Sequence, residues 1–277
     1  MDVYVDNISF TYRSGLRALH DVSLRIATGE SVAIVGQNGA GKTTLVKHLN
    51  GLLQPSAGSV SVGDWDTREH TVAQLAARVG YVFQNPDDQL FQRTVRAEVA
   101  FGPRNLGWTL DRTQAQSSAA LDTVGLSDAA QRQPYDLSPG QRKRIALASV
   151  LAMDTPVVVL DEPTTGQDYA GVELVARIAD NLHRQGKTVI TITHDIDFCA
   201  EHFERVVVMA DGQVLCDGPA RTVFAQAEAL AQADVEPPQL ARLAARLGRD
   251  DVPLTVEEFV GAIGRRRCRS AARANRV

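Results

Sequence analysis

The sequence predicts an α/β protein whose core is a mostly parallel β-sheet with helices on both faces. Strand-length apolar runs alternate with helix-patterned segments in the C-terminal half of the chain, which is typical of a parallel sheet. Residues 2–35 instead predict consecutive strands, so antiparallel strands are expected at the N-terminus. Over about residues 85–155, alanine, glutamine and leucine at helical spacing replace the strand pattern and predict an inserted α-helical subdomain.

The individual strands are predicted from apolar alternation and from short buried runs. Val3, Val5, Ile8 and Phe10 follow such an alternation, and the N-terminal strands end in the apolar run SVAIVG. A helix is expected over about 168–184, between two later strands. The further predicted strands are 58–63, 78–84, 157–160, 188–193, 205–210 and 213–216.

A helical appendix is predicted after the last strand. Pro237 and Pro238 precede a helical pattern that stops at Gly248, and a second short helix is expected over 256–263. The expected boundaries are 1–224 for the main domain, 225–264 for the C-terminal helical appendix and 265–277 for a basic tail.

The basic tail stands out in a chain of 277 residues whose net charge is −4. Its thirteen residues hold six arginines and no acidic residue. Such a composition is typical of a disordered, solvated segment. Contact with anionic lipid headgroups or ribosomal RNA is the alternative, and composition does not decide between the two.

Composition also excludes several classes of protein. No apolar run reaches the 18 residues that a membrane-spanning helix needs, so a role at a membrane requires a partner protein. The N-terminus shows no basic segment followed by an apolar core, so no signal peptide is expected. Cys199, Cys216 and Cys268 are scattered, which argues against a zinc site or a disulfide framework.

A glycine-rich loop follows the run SVAIVG and precedes the helical pattern TLVKHLNGLL. It reads GQNGAGKT and fits the phosphate-loop pattern GxxxxGK[ST], in which backbone N–H groups and a helix N-terminus face phosphate oxygens. Lys42 is expected to reach the β- and γ-phosphates, Thr43 to bind Mg²⁺ and Thr44 to bind a phosphate. The motif therefore predicts a RecA-like P-loop NTPase fold. The nucleotide-binding residues it predicts are Gly36, Gln37, Asn38, Gly39, Ala40, Gly41, Lys42, Thr43 and Thr44.

Two carboxylates follow the apolar run VVVL, at Asp161 and Glu162. Charges are tolerated at the C-terminal end of a buried strand, which is where α/β sheets bind ligands. Asp161 is expected to hold Mg²⁺ through water, and Glu162 to act as the general base for an attacking water. The adjacent glutamate favours a hydrolase over a small-molecule kinase.

A second candidate anion site lies in the segment LSPGQRKRIALA. Ser138 is a good helix N-cap, Pro139 suits the first helical turn, and the start of the helix leaves N–H groups free. One nucleotide does not need two phosphate-binding helix starts from the same chain. Two such starts therefore indicate that they serve different sites.

This segment resembles the ABC ATPase signature LSGGQ, and the other motifs of that family occur in order. Gln84 in YVFQNPDDQLF matches the Q-loop, and TTGQD, ending at Asp168, matches the D-loop. His194 in ITITHD matches the switch histidine, and Tyr12 matches the aromatic residue that stacks on adenine. The resemblance covers roughly residues 2–225.

The resemblance implies a head-to-tail dimer in which each ATP lies between the phosphate loop of one subunit and the signature of the other. Ser138, Gly140 and Gln141 would then contact the ATP of the partner, and closure of the dimer would be the power stroke. Two positions depart from the family pattern. Pro139 replaces the first signature glycine and removes one N–H, and Gln167 replaces the common D-loop leucine.

The resemblance also assigns the hydrolysis residues. Glu162 and His194 would hydrolyse ATP, with Gln84 as a third catalytic residue. Gln84 would bind Mg²⁺ together with Thr43 and Asp161, and would link the γ-phosphate to the helical subdomain. ATP and Mg²⁺ are therefore the expected substrate and cofactor.

FQNPDDQLF and EPPQLARLAARLG are similar to segments of the energy-coupling factor (ECF) ATPases, which drive cobalt, nickel and vitamin uptake. This resemblance implies three partners: a second ATPase subunit, identical or homologous, a transmembrane scaffold and a membrane substrate-binding subunit. It places the chain peripherally at the cytoplasmic face of the cell membrane, with no nucleic acid partner expected.

Three alternatives are weighed against the ECF branch. An ABC ATPase of another transporter class shares the catalytic motifs but lacks the two ECF-like segments. A non-transport ABC protein acting on DNA or ribosomes is supported by the arginine-rich tail alone. A P-loop kinase is disfavoured by the signature.

Overall fold

The computed structural model describes residues 1–249 and 252–261. The predicted basic tail, and the end of the second predicted appendix helix, lie outside the described residues. Within the described part, the chain forms one antiparallel sheet, one mostly parallel sheet and a set of helices.

The antiparallel sheet is built from the N-terminal strands. Its order is β2-β1-β4-β5, and Val3 pairs with Ile26 on one side and with Val62 on the other. This confirms the predicted N-terminal antiparallel sheet. The strands are β1 (Val3–Thr11), β2 (Arg17–Ile26), β4 (Ala57–Val62) and β5 (Trp65–Asp66).

The second sheet has the order β10-β9-β3-β8-β7-β6. Four of its five strand pairings are parallel. The fifth joins the edge strand β10 to β9 and is antiparallel. The carboxyl ends of β3, β6, β7 and β8 therefore meet at one edge of the sheet. The strands are β3 (Ser31–Val35), β6 (Val79–Val82), β7 (Val157–Asp161), β8 (Thr188–Ile192), β9 (Arg205–Ala210) and β10 (Gln213–Pro219).

Helices follow most of the parallel strands, and those between β6 and β7 occupy the region where a helical subdomain is predicted. In addition, residues 256–261 are helical. The helices are α1 (Lys42–Lys47), α2 (Val72–Leu75), α3 (Val95–Asn105), α4 (Leu110–Thr123), α5 (Pro139–Leu151), α6 (Tyr169–Arg184), α7 (Ile196–His202), α8 (Ala220–Phe224), α9 (Ala227–Gln232) and α10 (Gln239–Arg246).

The core has two parts, one on each face of the parallel sheet. Val32 and Ile34 of β3 lie in a cluster with α1 and the antiparallel sheet. Ala33 and Val35, which alternate with them, lie in a cluster with the helices of the other face. Burial on both faces explains why these strands read as continuous apolar runs in the sequence.

Two local expectations are wrong, and one helix is missed. The helix after the phosphate loop ends at Lys47, short of residue 53, because the chain turns through Asn50 and Gly51, where the φ angle of Gly51 is 73°. Strand β6 ends at Val82, so Gln84 lies beyond it. Helix α7, directly after His194, was not predicted from the sequence.

The appendix contacts α7 at a defined point. The backbone N–H of Gln239, in the first turn of α10, donates to Asp197 Oδ1 at 2.8 Å. This carboxylate satisfies one of the N–H groups that a helix start leaves unpaired. Within residues 1–249 and 252–261, no helix combines the length and apolar character needed to cross a bilayer.

Candidate active site

The phosphate loop lies at the carboxyl end of β3 and wraps tightly over the edge of the sheet. Gly41 has a φ angle of 96°, and a Cβ atom there would lie 2.7 Å from Ala18 O. At Gly36 a Cβ atom would lie 2.1 Å from Met209 O. These positions therefore require glycine, because other residues would collide with backbone carbonyls. Gln37 and Asn38, at the tip, are exposed.

The Lys42 ammonium is held inside this loop. It donates to Gly36 O at 2.6 Å and to Gln37 O at 2.9 Å, and the residue is only 6% exposed. Burial lowers the pKa of Lys42, and the nearby carboxylates of Glu162 and Asp161 oppose that shift. A buried ammonium held by weak carbonyl partners is positioned to bind a more strongly charged acceptor.

Asp161 ends β7 and faces the start of α1. Its Oδ1 accepts from the Thr43 hydroxyl at 3.2 Å, and its Oδ2 accepts from the buried Tyr81 hydroxyl at 2.6 Å. Burial raises the pKa of Asp161, and the hydrogen bonds from Tyr81 and Thr43 oppose this shift. The structure thus brings the predicted Mg²⁺ ligands Thr43 and Asp161 together.

Glu162 is the next residue, and its backbone is in a left-handed conformation with a φ angle of 50°. Its N–H donates to Ile192 O at 2.8 Å, which ties it to the end of β8. His194 Nδ1 lies 2.8 Å from Glu162 Oε2, and the Thr165 hydroxyl donates to the same oxygen at 3.1 Å. Glu162 is 5% exposed, whereas the side chain of His194 is 64% exposed.

Tyr12 lies beside the phosphate loop, directly after strand β1 of the antiparallel sheet. Its hydroxyl is 2.9 Å from Thr44 Oγ1, and its ring packs edge-to-face on Phe10 at a centroid distance of 4.8 Å. The half-buried ring thus flanks the N-terminal turn of α1. Its stacking on adenine stays a prediction.

Gln84 follows β6 and is exposed at the same sheet edge. The loop it begins is fixed by Gln89, whose Oε1 accepts from Phe83 N at 3.1 Å. The Gln89 amide also donates to Ala146 O and to Ser149 Oγ, both at 2.9 Å. Gln89 therefore joins the loop to helix α5, a role that the sequence pattern did not reveal.

The signature forms the exposed start of α5. Ser138 Oγ accepts from Gln141 N at 3.3 Å, and Gln141 Oε1 accepts from Ser138 N at 3.1 Å. This capping box, with Pro139 in the first turn, confirms the predicted helix start. Ser138 keeps its hydroxyl proton free to donate to an anion, since its oxygen is the acceptor.

The start of α5 is joined to the segment that follows β7 in the same chain by side chains on both segments. Lys143 Nζ donates to Glu162 O at 3.0 Å. Gln167 Nε2 donates to Gly140 O at 3.3 Å. Asp168, the predicted D-loop residue, caps α6 by accepting from Gly171 N at 2.8 Å.

Tyr81 and Lys143 were missed from the sequence. Tyr81 lies in an apolar strand, and its hydroxyl reaches Asp161 because β6 and β7 are parallel neighbours. Lys143 reads as one of three consecutive basic residues on a helix. Both contacts arise from packing, so a single sequence carries no local signal for them.

Comparison with known proteins places these motifs in one family. A sequence model described as ABC transporter matches residues 19–165. The energy-coupling factor transporter ATP-binding protein EcfA of Methanothermobacter thermautotrophicus is 42% identical over 258 residues, covering 91% of this chain and 83% of EcfA. An ABC transporter ATP-binding protein of Caldanaerobacter subterraneus is 41% identical over 95% of this chain, which spans 46% of that longer protein.

The fold agrees with a solved structure as well. The structure of cbiO1 from Clostridium perfringens, described as part of the ABC transporter complex cbiONQ, matches with a TM-score of 0.73 and 33% identity. The match covers 89% of this chain and 98% of that chain, which confirms the P-loop NTPase fold. The chain therefore belongs to the ABC transporter family of ATP-hydrolysing proteins and is similar to that family's energy-coupling factor members.

Proposed function

We propose that the chain is the ATPase subunit of an ECF-type ABC importer for a transition-metal ion such as cobalt or nickel, or for a vitamin. The observation that carries this proposal is the division of the phosphate-binding elements. Lys42 of the phosphate loop, Asp161 and Glu162 form one buried group, whereas the signature at Ser138 lies exposed on another helix. Such an arrangement suits a dimer in which each exposed signature completes the site of the other subunit.

Hydrolysis is assigned to Glu162 and His194. Glu162 Oε2 accepts from Thr165, and lies 2.8 Å from His194 Nδ1, so its other oxygen remains for an attacking water. Glu162 would take a proton from that water as general base. His194 would orient the carboxylate and contact the γ-phosphate, since its side chain is exposed and lines one cavity with Gln37 and Asn38 of the phosphate loop. Gln84, exposed at the same edge, would sense the γ-phosphate.

Phosphate binding is assigned to the phosphate loop. Lys42 would exchange the carbonyls of Gly36 and Gln37 for the β- and γ-phosphate oxygens, which are stronger acceptors because they are charged. The residues also fit Mg²⁺, because the buried Asp161 carboxylate and the Thr43 hydroxyl lie 3.2 Å apart and are hard oxygen ligands. Mg²⁺ bound there would neutralise charge on the phosphates.

A groove beside the Q-loop supports docking of the transmembrane scaffold. Its volume is about 230 Å³, and the apolar side chains at its rim include Phe91, Phe101 and Leu52, which are 60%, 40% and 40% exposed. The groove holds its shape because the buried Glu98 accepts from the backbone N–H groups of Phe91 and Gln92. An exposed apolar groove of this kind is typical of a protein interface. Docking there would place the chain peripherally at the cytoplasmic face of the membrane.

The ECF assignment is supported by the similarity to EcfA and to cbiO1. The proposed partners are a second ATPase subunit, a transmembrane scaffold and a membrane substrate-binding subunit. The choice of cargo would rest with that last subunit.

Purification of the chain from solubilised membranes tests this proposal. We expect an ECF scaffold and a substrate-binding membrane protein to be recovered with it, and Phe101→Asp to abolish their recovery. Leu110→Asp is the matched control, because Leu110 is 77% exposed and lies outside the groove. Recovery of a binding-protein-dependent permease without an ECF scaffold would contradict the assignment.

A further inference from the structure

We propose that Gln167 is a positioning residue that fixes the signature of its own chain, and thereby sets how tightly this chain binds the ATP of its partner. This inference rests on the proposed dimer. It concerns the two positions at which the sequence departs from the family pattern, Pro139 and Gln167, which the fold brings together at Gly140.

The contact itself is a hydrogen bond between the loop before α6 and the first turn of α5. Gln167 Nε2 donates to Gly140 O at 3.3 Å, and the Gln167 backbone N–H donates to Thr164 O at 3.1 Å. Gly171, in the first turn of α6, leaves room for this side chain. A Cβ atom at Gly171 would lie 2.3 Å from Gln167 Oε1. The half-buried glutamine therefore occupies a space that a larger residue at Gly171 would fill.

Two hydrogen bonds, one at the carbonyl and one at the N–H, fix the peptide unit between Gly140 and Gln141. The carbonyl of Gly140 and the N–H of Gln141 belong to the same planar unit. The carbonyl accepts from Gln167, and the N–H donates to Ser138 Oγ at 3.3 Å. Gln167 thus fixes the orientation of the group that holds the Ser138 hydroxyl, which is expected to contact the phosphate of the partner.

Pro139 makes this orientation more important. It lacks an N–H, so the start of α5 has one donor fewer for a phosphate than the family pattern offers. The donors that remain include the Ser138 hydroxyl, the N–H of Gly140 and the side-chain amide of Gln141. Loss of their alignment would therefore remove a larger share of the phosphate contacts.

A reverse contact connects the signature to the hydrolysis residue. Lys143 of α5 donates to Glu162 O at 3.0 Å, and Arg144 lies 3.7 Å from Asp168. Each segment thus supplies a side-chain donor to a backbone carbonyl of the other. In the dimer, this pair of contacts would link the site that contains Glu162 to the site that the signature serves.

The test uses Glu162→Gln, which should bind ATP without rapid hydrolysis, as the background. Gln167→Met keeps the approximate size of the side chain and removes its donor without adding charge. We expect it to raise the dimer dissociation constant in MgATP about 5- to 10-fold, the loss of one or two hydrogen bonds of ordinary net strength. ATP affinity of the isolated chain should stay unchanged, because Gln167 lies outside its phosphate loop.

Gln185→Met is the matched control, since Gln185 is exposed at the other end of α6. Sedimentation and ATP titration give the two constants. If the background itself shows no ATP-dependent association, the proposed dimer is wrong. If ATP strengthens association equally with and without Gln167→Met, the dimer stands and the positioning role is wrong. If Gln167→Met weakened ATP binding to the isolated chain as much as it weakened dimer formation, the positioning role would also be wrong, since that result would indicate general disruption of the fold.

Discussion

Helices α1 and α5 both begin with a predicted phosphate-binding motif, but their surroundings differ. The start of α1 is enclosed, with Lys42 buried at 6% exposure and the Asp161 and Glu162 carboxylates nearby. The start of α5 is exposed at Ser138 and already satisfied by its own capping box. The α1 end therefore brings a lysine, a hydroxyl and carboxylates together in one chain, whereas the proposed role of the α5 end is to complete the site of a partner.

The two helix starts differ because they offer different positively charged groups and donors to a phosphate. Phosphates need cationic or N–H donors together with a means of holding Mg²⁺. The α1 end has Lys42, Thr43 and Asp161 within one chain. At the α5 end, the basic residues Arg142, Lys143 and Arg144 contact Asp87, Glu162 O and Asp168. The Ser138 hydroxyl and N–H groups are therefore its main donors, which suits a nucleotide that another subunit already holds.

Glu162→Gln should give the largest effect and test the enclosed end. Removal of the general base should lower phosphate release by about 10²- to 10⁴-fold. ATP binding should persist, because the shape of the side chain is kept. Steady-state phosphate release and ATP titration measure the two effects, with Glu69→Gln, at an exposed position, as the control. Hydrolysis near the parental rate would assign the base to another residue.

Lys42→Ala should weaken ATP binding to the isolated chain about 10- to 100-fold. The change removes a charged donor to the phosphates, but in the free chain that ammonium already binds the carbonyls of Gly36 and Gln37. The net loss is therefore that of one charged hydrogen bond, about 1.5–3 kcal/mol. Calorimetric titration with MgATP measures the affinity. Lys47→Ala, one turn further along α1, is the control. Tight binding retained in the Lys42 variant would mean that another group holds the phosphates.

Asp161→Asn should make the nucleotide-free protein more stable, and the gain should depend on pH. Burial raises the pKa of Asp161 in the folded state. The folded state therefore binds this proton more tightly than the unfolded chain, and stability falls as pH rises from the ordinary carboxyl pKa through the raised one. The variant should thus exceed the parent in Tm at pH 8, with a smaller difference at pH 4.

Scanning calorimetry without Mg²⁺ or nucleotide measures this difference. Asp128→Asn, at an exposed turn, is the control. A Tm difference that grows as pH falls would contradict the assigned burial of the Asp161 carboxylate.

Ser138→Ala should give the smallest effect and test the exposed end. Loss of the N-cap should cost about 1 kcal/mol of stability, or about 2–4 °C in Tm for a domain of this size. ATP affinity of the isolated chain should not change, in contrast to Lys42→Ala. Thr109→Ala removes the equivalent cap of α4 and should lower Tm similarly without lowering ATP turnover. A loss of ATP affinity after Ser138→Ala would mean that the signature contacts its own chain's nucleotide.

The enclosed end was largely predictable from the sequence. Its residues occur as contiguous motifs directly after buried strands, and parallel strands bring their carboxyl ends together. Asp161, Glu162 and His194 lie together at this edge of the sheet for that reason, and their roles stay predictions. Tyr81 and Gln89 were not predictable, because their contacts depend on strand pairing and on the packing of α5.

The contacts that join the enclosed end to the start of α5 could not be predicted from the sequence either. Gln167 departs from the family pattern in sequence, but its hydrogen bond to Gly140 O depends on the packing of α5 against the loop before α6. The contact of Asp197 with the start of α10 has the same character, since 42 residues separate its partners. Local motifs thus predict the site residues, and long-range packing decides how they are joined.

The proposal that two chains share each ATP site is tested most directly by the ATP dependence of self-association in Glu162→Gln, measured by sedimentation. We expect MgATP to lower the dimer dissociation constant, and we expect adding Ser138→Arg to remove this effect while the ATP affinity of the isolated chain is retained. A Glu162→Gln chain that binds ATP without any change in association would contradict the shared site. Equal ATP-dependent association after Ser138→Arg would contradict the role of the signature.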